Sequence, residues 1–395
     1  MFEQFERTQE DPIIRLMGMY RKDERAEKID VGVGVFKDEN GSTPIMSAVK
    51  AAEQRLHDKQ STKAYVGLAG DERFNSAMTD LIFGGIPVQE RIRAVQAPGG
   101  CGALSVLTDT LSRVAADKTV WVSDPTWGNH YPILQGSGFD VKTYAYFNRE
   151  NKTAREDEVI ERLKTLGADD IVLLHGCCHN PTGAELSPAA WDEIAKISAN
   201  NGWLPYVDLA YQGFGDSLKE DAYGVRAIAN QVESMVVAAS CSKNFGLYRD
   251  RVGCAMVMGA TPEISDNTRS QLLSAARSAY SMPPDHGAAI VAMILNDETL
   301  TQEWEAELAT MRARIRGLRQ QLSDVLKAKT GSDQWDFIAR HRGMFSTLVL
   351  SEEQTDRLVE EYAVYAVKGG RINIAGLRDD DQLNRFADAL ISVTQ

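Results

Sequence analysis

The 395-residue sequence predicts an α/β protein whose core is a mostly parallel β-sheet flanked by helices. Short apolar segments recur along the chain, and each leads into a polar or glycine-rich loop; they are residues 93–97, 119–122, 171–174, 204–207 and 235–239. Near-continuous apolar strands of this kind are typical of parallel sheets that helices cover on both faces. The length also leaves room for a second, smaller α/β unit.

The chain begins with a predicted N-terminal arm of residues 1–14. Its two aromatic residues, Phe2 and Phe5, suit either docking onto a second subunit or a frayed terminus. Residues 15–44 are predicted to belong to the smaller domain. The large domain is predicted over residues 45–310, and it opens with a helix whose apolar residues recur at helical spacing.

A long helix is predicted next, at the start of a small C-terminal domain of residues 311–395. Its apolar residues step by four and three in turn and form one stripe; they are Trp304, Leu308, Met311, Ile315, Leu318, Leu322 and Val325. The arginines of this helix, at 312, 314, 316 and 319, are expected to form a solvated face. Strands are predicted near 346–350 and 371–375.

Composition excludes several classes of protein. The formal net charge of −13 argues against nucleic acid or an anionic membrane as the main partner. There is no apolar run of 18 residues and no pattern typical of a signal peptide, so we expect neither a membrane span nor export. The five cysteines form no C-x-x-C pair, which favours a reducing, cytoplasmic setting without a zinc site or disulfide framework.

Polar residues that could hold a phosphate gather at two of the predicted strand ends. Ser240, Ser242 and Arg251 supply two hydroxyls and a guanidinium within one short stretch. The glycine-rich turn 99–102 enters a helix, whose first amides attract anions, although such a turn by itself is weak evidence. Lys243 lies in the same stretch, and burial there would lower its pKa and make the neutral amine a nucleophile.

Further polar and aromatic residues at the strand ends suit a heterocyclic ring. Asp208 could keep a ring nitrogen protonated, Tyr211 and Asn180 could hydrogen-bond a ring oxygen, and Trp127 could stack on the ring face. Each has an ordinary alternative as a helix cap, a turn or a core residue. Their common position at one sheet edge favours a joint site, and an aldehyde, a phosphate and a protonatable nitrogen together indicate pyridoxal phosphate.

The sequence resembles the class I aminotransferases of fold type I, in particular the bacterial aspartate and aromatic-amino-acid aminotransferases. The resemblance runs through the whole chain and rests on residues 28–35 (KIDVGVGV), 64–67 (AYVG), 123–127 (SDPTW), 175–183 (HGCCHNPTG), 210–214 (AYQGF), 240–248 (SCSKNFGLY) and 370–376 (GRINIAG). The strings at 175–183 and 240–248 are the most specific. The resemblance implies a large cofactor-binding domain and a smaller domain that closes on the substrate.

The resemblance also implies roles for individual residues. Lys243 would be the Schiff-base lysine and proton shuttle, and Asp208 would pair with the pyridine nitrogen, with His130 behind it. The remaining implied cofactor contacts are Tyr211 and Asn180 at the ring oxygen, Trp127 on the ring, and Gly100, Cys101, Ser240, Ser242 and Arg251 at the phosphate, completed by Tyr65 of a second subunit. No metal is expected.

Substrate binding is implied as well. Arg371 would hold the substrate α-carboxylate, assisted by the backbone at Gly34, and Trp127 and Asn180 would also face the substrate. Arg277 matches the arginine that crosses from the neighbouring subunit of a homodimer to meet a side-chain carboxylate. Relatives often carry threonine where Cys101 stands, and a thiol is a weaker donor than a hydroxyl, so one phosphate contact is expected to be weaker.

Arg277 implies that dicarboxylic amino acids are accepted, and the segments 213–216, 239–243 and 341–346 most resemble the aromatic-active branch. The resemblance therefore implies an aminotransferase of dual specificity that acts on aromatic and dicarboxylic amino acids with 2-oxoglutarate by ping-pong kinetics. An aspartate aminotransferase with little aromatic activity is the alternative. A β-elimination or decarboxylation reaction is less favoured, because two carboxylate-binding arginines suit a substrate that keeps both carboxylates. A cofactor-binding regulator is disfavoured by the acidic charge and by the lack of room for a DNA-binding domain.

Overall fold

The computed structural model describes residues 1–7 and 10–395, and the chain folds into two compact units. One unit is Pro44–Ala313, and the other combines Met1–Thr43 with Arg314–Gln395. The domain limits at residues 44 and 310, and the arm of residues 1–14, stay predictions about domain organisation. Residues 8 and 9 of that arm lie outside the described residues.

The elements alternate between strand and helix through most of the chain. The helices are α1 (Pro12–Lys22), α2 (Ser47–Lys59), α3 (Glu72–Phe83), α4 (Gly99–Ala115), α5 (His130–Gly136), α6 (Glu156–Lys164), α7 (Pro188–Asn201), α8 (Tyr223–Ala229), α9 (Pro262–Ala279), α10 (Asp285–Leu295), α11 (Glu298–Thr330), α12 (Phe337–Arg340), α13 (Glu352–Tyr362) and α14 (Asp380–Thr394). The strands are β1 (Ile29–Asp30), β2 (Ile92–Pro98), β3 (Thr119–Asp124), β4 (Asp140–Ala145), β5 (Phe147–Asn148), β6 (Thr153–Ala154), β7 (Asp170–His175), β8 (Leu204–Leu209), β9 (Met235–Ser240), β10 (Val252–Met258), β11 (Phe345–Thr347), β12 (Val364–Tyr365) and β13 (Arg371–Asn373).

A seven-stranded sheet in the order β2-β10-β9-β8-β7-β3-β4 forms the centre of the larger unit. Its strand pairs are parallel except at β10, which runs antiparallel to both β2 and β9. All five predicted segments are strands of this sheet, so the predicted α/β fold with a mostly parallel sheet is confirmed.

Two strands of the sheet, β4 and β10, are not among the five predicted. β4 lies at the sheet edge, where most of its side chains are exposed or half-buried, and its Asp140, Lys142 and Thr143 give it the composition of a loop. β10 is buried along its whole length. Its place between β2 and β9 depends on a pairing between distant segments, which local sequence does not show.

The core beside this sheet fixes the start of α4. Leu104 and Leu107 of α4 pack with Val95 of β2, Ala238 of β9 and Leu272 of α9 in one buried cluster. Tyr206 of β8 crosses this layer, because its hydroxyl donates to the carbonyl oxygen of Leu104 at 2.7 Å. The N-terminus of α4 is therefore held against the ends of the central strands.

The long helix α11 confirms the predicted apolar stripe. Trp304, Leu308 and Leu322 are buried, and Val325 at the end of the stripe is only half-buried. The expected solvated arginine face is wrong for Arg319, whose side chain is 1% exposed. Its guanidinium donates to the carbonyl oxygens of Ile338, Gly343 and Phe345 and to Ser346 Oγ, at 2.6–3.2 Å. It thereby ties α11 to the segment that leads into β11.

The smaller unit contains two short sheets, in which β1 pairs with β12 in parallel and β11 pairs with β13 in antiparallel register. The strand predicted near 346–350 is observed as Phe345–Thr347 and ends early, because Val349 has a left-handed backbone with φ of 59°. The strand predicted near 371–375 is observed as Arg371–Asn373. In the described residues, no helix combines the length and apolarity needed to cross a membrane.

Candidate active site

Asp208 and Lys243 follow neighbouring strands of the central sheet. Asp208 is the penultimate residue of β8, Lys243 lies three residues beyond β9, and the two strands pair in parallel. The Lys243 Nζ atom lies 4.7 Å from the centre of the Tyr211 ring. Burial lowers the pKa of Lys243, Asp208 opposes this, and Arg251 adds a smaller lowering effect; together they leave the pKa at about 8. The site therefore holds an amine that is partly neutral near physiological pH.

Behind Asp208 lies a directed chain of hydrogen bonds. His130 Nε2 lies 3.1 Å from Asp208 Oδ2. Thr126 Oγ1 lies 2.8 Å from His130 Nδ1 and 3.0 Å from His175 Nε2, so it links the two imidazole rings. The backbone N–H of Asn180 points at His175 Nδ1 from 3.4 Å. Because a backbone N–H can only donate, the chain is satisfied when each group donates to the next, from Asn180 through to the Asp208 carboxylate.

The charges along this chain agree with that direction. Burial by itself would raise the pKa of Asp208, but the hydrogen bond from His130 and the electrostatic influence of His130, His175 and Lys243 lower it below its usual range. Burial, together with His130, lowers the pKa of His175 to about 3, so its imidazole is neutral. Asp208 is therefore an ionised carboxylate in a buried position, ready to pair with a cationic N–H.

A second group of residues forms a tight cradle at the N-terminus of α4. A Cβ atom on Gly99 would lie 2.4 Å from Arg251 Nη2, and one on Gly100 would lie 2.9 Å from Ser240 Cβ. Arg251 Nη1 lies 3.4 Å from Ser242 Oγ, and the Arg251 backbone is left-handed with φ of 55°. The first amides of α4 have no partner within the helix, so the cradle combines free N–H groups, hydroxyls and a guanidinium. This is the donor set of a phosphate site.

Cys101 belongs to the first turn of α4, beside this cradle. Its thiol is half-buried, and its sulfur accepts a hydrogen bond from Asn129 Nδ2 at 3.4 Å. Asn129 is the N-cap residue of α5 and follows the segment of Trp127. The Trp127 ring meets His130 edge-on, with 5.3 Å between the ring centres. The cradle is thus connected to the Trp127–His130 segment through the thiol.

The loop after β7 brings Asn180 to the same sheet edge. The backbone N–H groups of Cys178 and His179 donate to the Glu185 carboxylate at 3.0 and 2.8 Å, and the N–H of Gly176 donates to the carbonyl oxygen of Asp208 at 2.8 Å. Asn180 is buried at the end of this loop, and Tyr211 is buried just after β8. The HGCCHNPTG string therefore forms a loop whose backbone is anchored to β8 and to Glu185.

Arg371 and Gly34 lie together in the smaller unit. The Arg371 guanidinium lies 4.6 Å above the centre of the Phe345 ring and donates to the carbonyl oxygen of Gly32 at 2.8 Å. A Cβ on Gly34 would lie 2.8 Å from the edge of the same ring. Asn373 donates from Nδ2 to the carbonyl oxygens of Val33 and Val35, each at 2.7 Å, and so holds the backbone around Gly34.

Tyr65 and Arg277 differ from the other residues because their side chains are exposed. Tyr65 is 89% exposed. Arg277 lies in the last turn of α9, where its Nη1 donates to Ser281 Oγ at 2.5 Å. Both side chains are exposed in the single chain, and their action on the site of a second subunit stays a prediction.

Sequence reasoning missed several residues that contact the predicted site residues within each unit. Thr126 and His175 complete the chain behind Asp208, and Phe345 and Asn373 shape the surroundings of Arg371. Thr126 and His175 both fall within the motif strings, so their polar side chains next to assigned residues were the available signal. Asn373 also falls within a motif string, 370–376, whereas Phe345 lies outside the strings and its effect depends on tertiary contact.

The larger unit defines a class of protein. Its buried anionic carboxylate, its amine with a lowered pKa and its phosphate cradle all lie at strand ends of one sheet, and this set fits pyridoxal phosphate. The tightness of the cradle, which has no space for a Cβ at Gly99 or Gly100, matches the close approach of backbone to a phosphate. The fold and these residues are those of an enzyme that depends on pyridoxal phosphate.

Comparisons with known proteins identify the family. Residues 26–390 match the model of the family described as aminotransferase class I and II. The chain is 43% identical to the aspartate aminotransferase of Escherichia coli (strain K12) over all of both chains, and 45% identical to the aromatic-amino-acid aminotransferase of Paracoccus denitrificans over 97% of each. The structure superposes with a TM-score of 0.97 on an aromatic-amino-acid aminotransferase from Burkholderia pseudomallei covalently bound to pyridoxal phosphate, at 36% identity over all of both chains. The chain belongs to the class I and II aminotransferases and is a pyridoxal-phosphate-dependent enzyme.

Proposed function

We propose that this aminotransferase has dual specificity and transfers the amino group between aromatic or dicarboxylic L-amino acids and 2-oxoglutarate. Relatives with 40–45% identity along their whole length carry the names of both aspartate and aromatic-amino-acid aminotransferases, which supports a substrate range that includes both. An aspartate aminotransferase with little aromatic activity is the alternative.

The proposed chemistry assigns separate tasks to Lys243 and Asp208. When bound, pyridoxal phosphate supplies an electron sink for the charge left on the substrate α-carbon. Lys243 takes the α-proton as a neutral amine, a state that its lowered pKa makes accessible near neutral pH, and later returns it. Asp208, ionised and oriented through His130, Thr126 and His175, would pair with the pyridine nitrogen of the bound cofactor.

The remaining cofactor contacts follow from the cradle and from the neighbouring loops. Arg251, Ser240, Ser242 and the backbone at Gly100 and Cys101 would hold the phosphate, and Tyr65 of a second subunit would complete it. Asn180 and Tyr211 would hydrogen-bond the ring oxygen, and Trp127 would cover the ring. We also propose a homodimer with shared active sites and a cytoplasmic location, the latter supported by five free cysteines.

The observation that carries the dual specificity is the contrast between two arginines. Arg371 is 8% exposed, stacks on Phe345 and is oriented by Gly32, so it suits the α-carboxylate that every substrate has. Arg277 is exposed, and it donates to Ser281 in its own loop. A long exposed side chain can meet a second carboxylate or leave room for an aromatic ring, whereas a buried one cannot.

The test compares amino donors with and without Arg277. Purified protein loaded with pyridoxal phosphate is assayed with 2-oxoglutarate and with aspartate, tyrosine or phenylalanine, and we expect turnover of all three. Arg277→Ala should reduce kcat/KM for aspartate by about a hundredfold, because roughly one charge-assisted contact is lost. The kcat/KM for phenylalanine should stay nearly unchanged. Arg357→Ala, at a partly exposed arginine of α13, is the control and should alter kcat/KM for neither substrate.

Two results would count against the proposal. Equal losses for aspartate and phenylalanine in the Arg277 variant would remove Arg277 from substrate selection. Turnover of aspartate without measurable turnover of tyrosine or phenylalanine in the unmodified protein would favour the alternative.

A further inference from the structure

A polar pocket in the smaller unit is lined by residues other than those assigned to the cofactor or the substrate. Its lining comes from the last turn of α1, β1 with the loops on either side of it, and the segment from Gly376 into α14, and its volume is about 170 Å³. Pockets for drug-sized ligands begin at roughly 300 Å³, so this one suits a small ion or molecule. Lys28, Lys37 and Arg378 line it, and Asp30 is the one carboxylate among the described lining residues. The pocket is therefore positive, although the net charge of the whole chain is −13.

Hydrogen-bond donors at the α1 side face a ligand in this pocket. Lys28 Nζ donates to the carbonyl oxygens of Tyr20 and Asp23, at 2.9 and 2.6 Å, which leaves one of its three N–H groups for a ligand. Burial raises the pKa of Tyr20, and Asp30 adds to this, whereas Arg378 opposes both. The Tyr20 hydroxyl therefore stays protonated at neutral pH and can donate a hydrogen bond.

Arg378 and Gln382 add donors at the opposite side. The Gln382 side chain is 5% exposed, and its Oε1 accepts from the backbone N–H of Arg378 at 3.2 Å. Within residues 1–7 and 10–395, neither Gln382 Nε2 nor the Arg378 guanidinium has a hydrogen-bond partner. A buried amide without an acceptor costs free energy, and a ligand with acceptor oxygens would remove that cost.

The acceptor groups of the pocket already have donors. Asp30 Oδ2 accepts from Lys37 Nζ at 2.9 Å, and Asp30 Oδ1 accepts from the backbone N–H groups of Gly32 and Val33 at 3.0 and 3.3 Å. The groups that remain for a ligand are thus donors, and most of them carry positive charge. Such a set favours an anion with several acceptor oxygens over a cation or a neutral molecule.

Two contacts hold the walls of the pocket in place. The Arg314 guanidinium donates to the carbonyl oxygens of Lys37 and Arg378, at 3.2 and 2.9 Å, and so ties the two walls together. Gly41 has a left-handed backbone with φ of 76°, and a Cβ there would lie 2.7 Å from Arg378 Cδ. The turn at Gly41 therefore packs against the stem of Arg378. A pocket that is formed before its ligand arrives loses less entropy on binding.

We propose that this pocket binds a small oxyanion with two negative charges, of which inorganic phosphate is the simplest example. Lys28, Lys37 and Arg378 supply the positive charge, and the Tyr20 hydroxyl and the Gln382 amide supply neutral hydrogen bonds. The binding is noncovalent and reversible. It uses neither the phosphate cradle of α4 nor Arg371, so it does not depend on the proposed function.

The test titrates inorganic phosphate into the full-length protein loaded with pyridoxal phosphate, so that the cofactor site is already occupied. Isothermal titration calorimetry at constant ionic strength measures the dissociation constant, with sodium chloride as the comparison anion. We expect saturable binding of phosphate and no saturable binding of chloride. Arg378→Ala should weaken phosphate binding about tenfold or more, because roughly one charge-assisted contact is lost.

A second variant changes the charge of the pocket with almost no change in its shape. Asn40 is exposed and lines the pocket, and Asn40→Asp adds a carboxylate there, which should weaken phosphate binding by about tenfold through like-charge repulsion. Arg357→Ala, in the pair of α13 with Glu361, is the matched control and should leave the dissociation constant unchanged. Circular dichroism of each variant shows that it is folded.

Three results would overturn the inference. These are the absence of saturable phosphate binding by the loaded protein, unchanged binding in either Arg378→Ala or Asn40→Asp, and an equal loss in Arg357→Ala. The proposed function would stand in each case, because it is tested by the turnover of amino donors and by Arg277→Ala.

Discussion

At the residue scale, the reactivity of Lys243 depends on the residues that surround it. Burial and Arg251 favour its neutral form, and Asp208 favours its charged form, which leaves its pKa at about 8. An ordinary exposed lysine would be almost fully charged at neutral pH. The balance keeps a fraction of the amine neutral without leaving Asp208 unpaired.

The titration of Lys243 predicts how cofactor capture changes with pH. Only the neutral amine has a free electron pair, so the rate at which cofactor-free protein captures pyridoxal phosphate should rise about tenfold per unit up to pH 8, where it levels off. Stopped-flow absorbance over a pH series measures this rate. In Asp208→Asn the midpoint should move below pH 8, because the charge that raises the pKa is gone. A midpoint near the ordinary lysine value in the unmodified protein would contradict the prediction.

At the element scale, the start of α4 is shaped by what packs against it. Gly99 has a left-handed backbone with φ of 76°, and Arg251 and Ser240 lie against the positions where side chains of Gly99 and Gly100 would stand. The helix N-terminus therefore approaches β9 and the loop before β10 closely enough for its amides, the hydroxyls and the guanidinium to converge.

This close packing predicts the effect of one methyl group. Gly100→Ala places a Cβ 2.9 Å from Ser240 Cβ and should weaken pyridoxal phosphate binding by about tenfold or more, as roughly one phosphate contact is displaced. Equilibrium dialysis or absorbance titration measures the dissociation constant. Gly136→Ala in α5 adds the same methyl group where nothing lies within 4 Å, and it should leave binding unchanged. Equal binding by the two variants would show that Gly100 does not define the cradle.

Arg319 in α11 shows how a buried charge supports an element junction. Arg319→Met keeps much of the side-chain volume but leaves the carbonyl oxygens of Ile338, Gly343 and Phe345 without this donor. We expect the free energy of unfolding to fall by about 3 kcal/mol or more, the usual effect of removing one partner of a buried charged group. Urea denaturation followed by circular dichroism measures it. Arg357→Met, in an exposed pair with Glu361, is the matched control, and a similar loss in both variants would argue against a special role for Arg319.

At the scale of the whole molecule, three large aromatic side chains are mostly exposed in the single chain. Phe2, Phe5 and Tyr65 are 73–89% exposed. The proposed homodimer would cover such residues and would let Tyr65 and Arg277 act on the neighbouring site.

A hybrid dimer tests whether the active sites are shared. The Lys243→Ala and Arg277→Ala proteins carry different affinity tags and are unfolded together and refolded. The hybrid dimer is then purified on both tags in turn. If Arg277 acts across the interface, one site in the hybrid combines an intact Lys243 with an intact Arg277, and aspartate turnover should reach about half that of the unmodified dimer. If Arg277 acts within its own chain, the hybrid should be no more active towards aspartate than the Arg277→Ala parent.

How much the sequence predicts depends on how local each interaction is. The five apolar strands and the helical stripe of α11 follow from short-range periodicity, so their places are confirmed within a few residues. The position of strand β4 and the burial of Arg319 do not follow from short-range periodicity. An edge strand with polar residues resembles a loop, and an arginine in a helix resembles a solvated one until distant carbonyl groups are known.

The candidate site likewise has features that the sequence predicts and features that it does not. The residue types needed for pyridoxal phosphate, and their positions after apolar strands, could be read from the sequence because parallel strands place their carboxyl ends at one edge. The order of donors from Asn180 through His175, Thr126 and His130 to Asp208 could not, since it depends on distances of about 3 Å between loops far apart in the chain. The sequence by itself therefore determined the family, the cofactor and the fold class. Tertiary structure alone decided which protonation states, close contacts and buried charges those residues have, because burial and hydrogen bonding are properties of the packed chain.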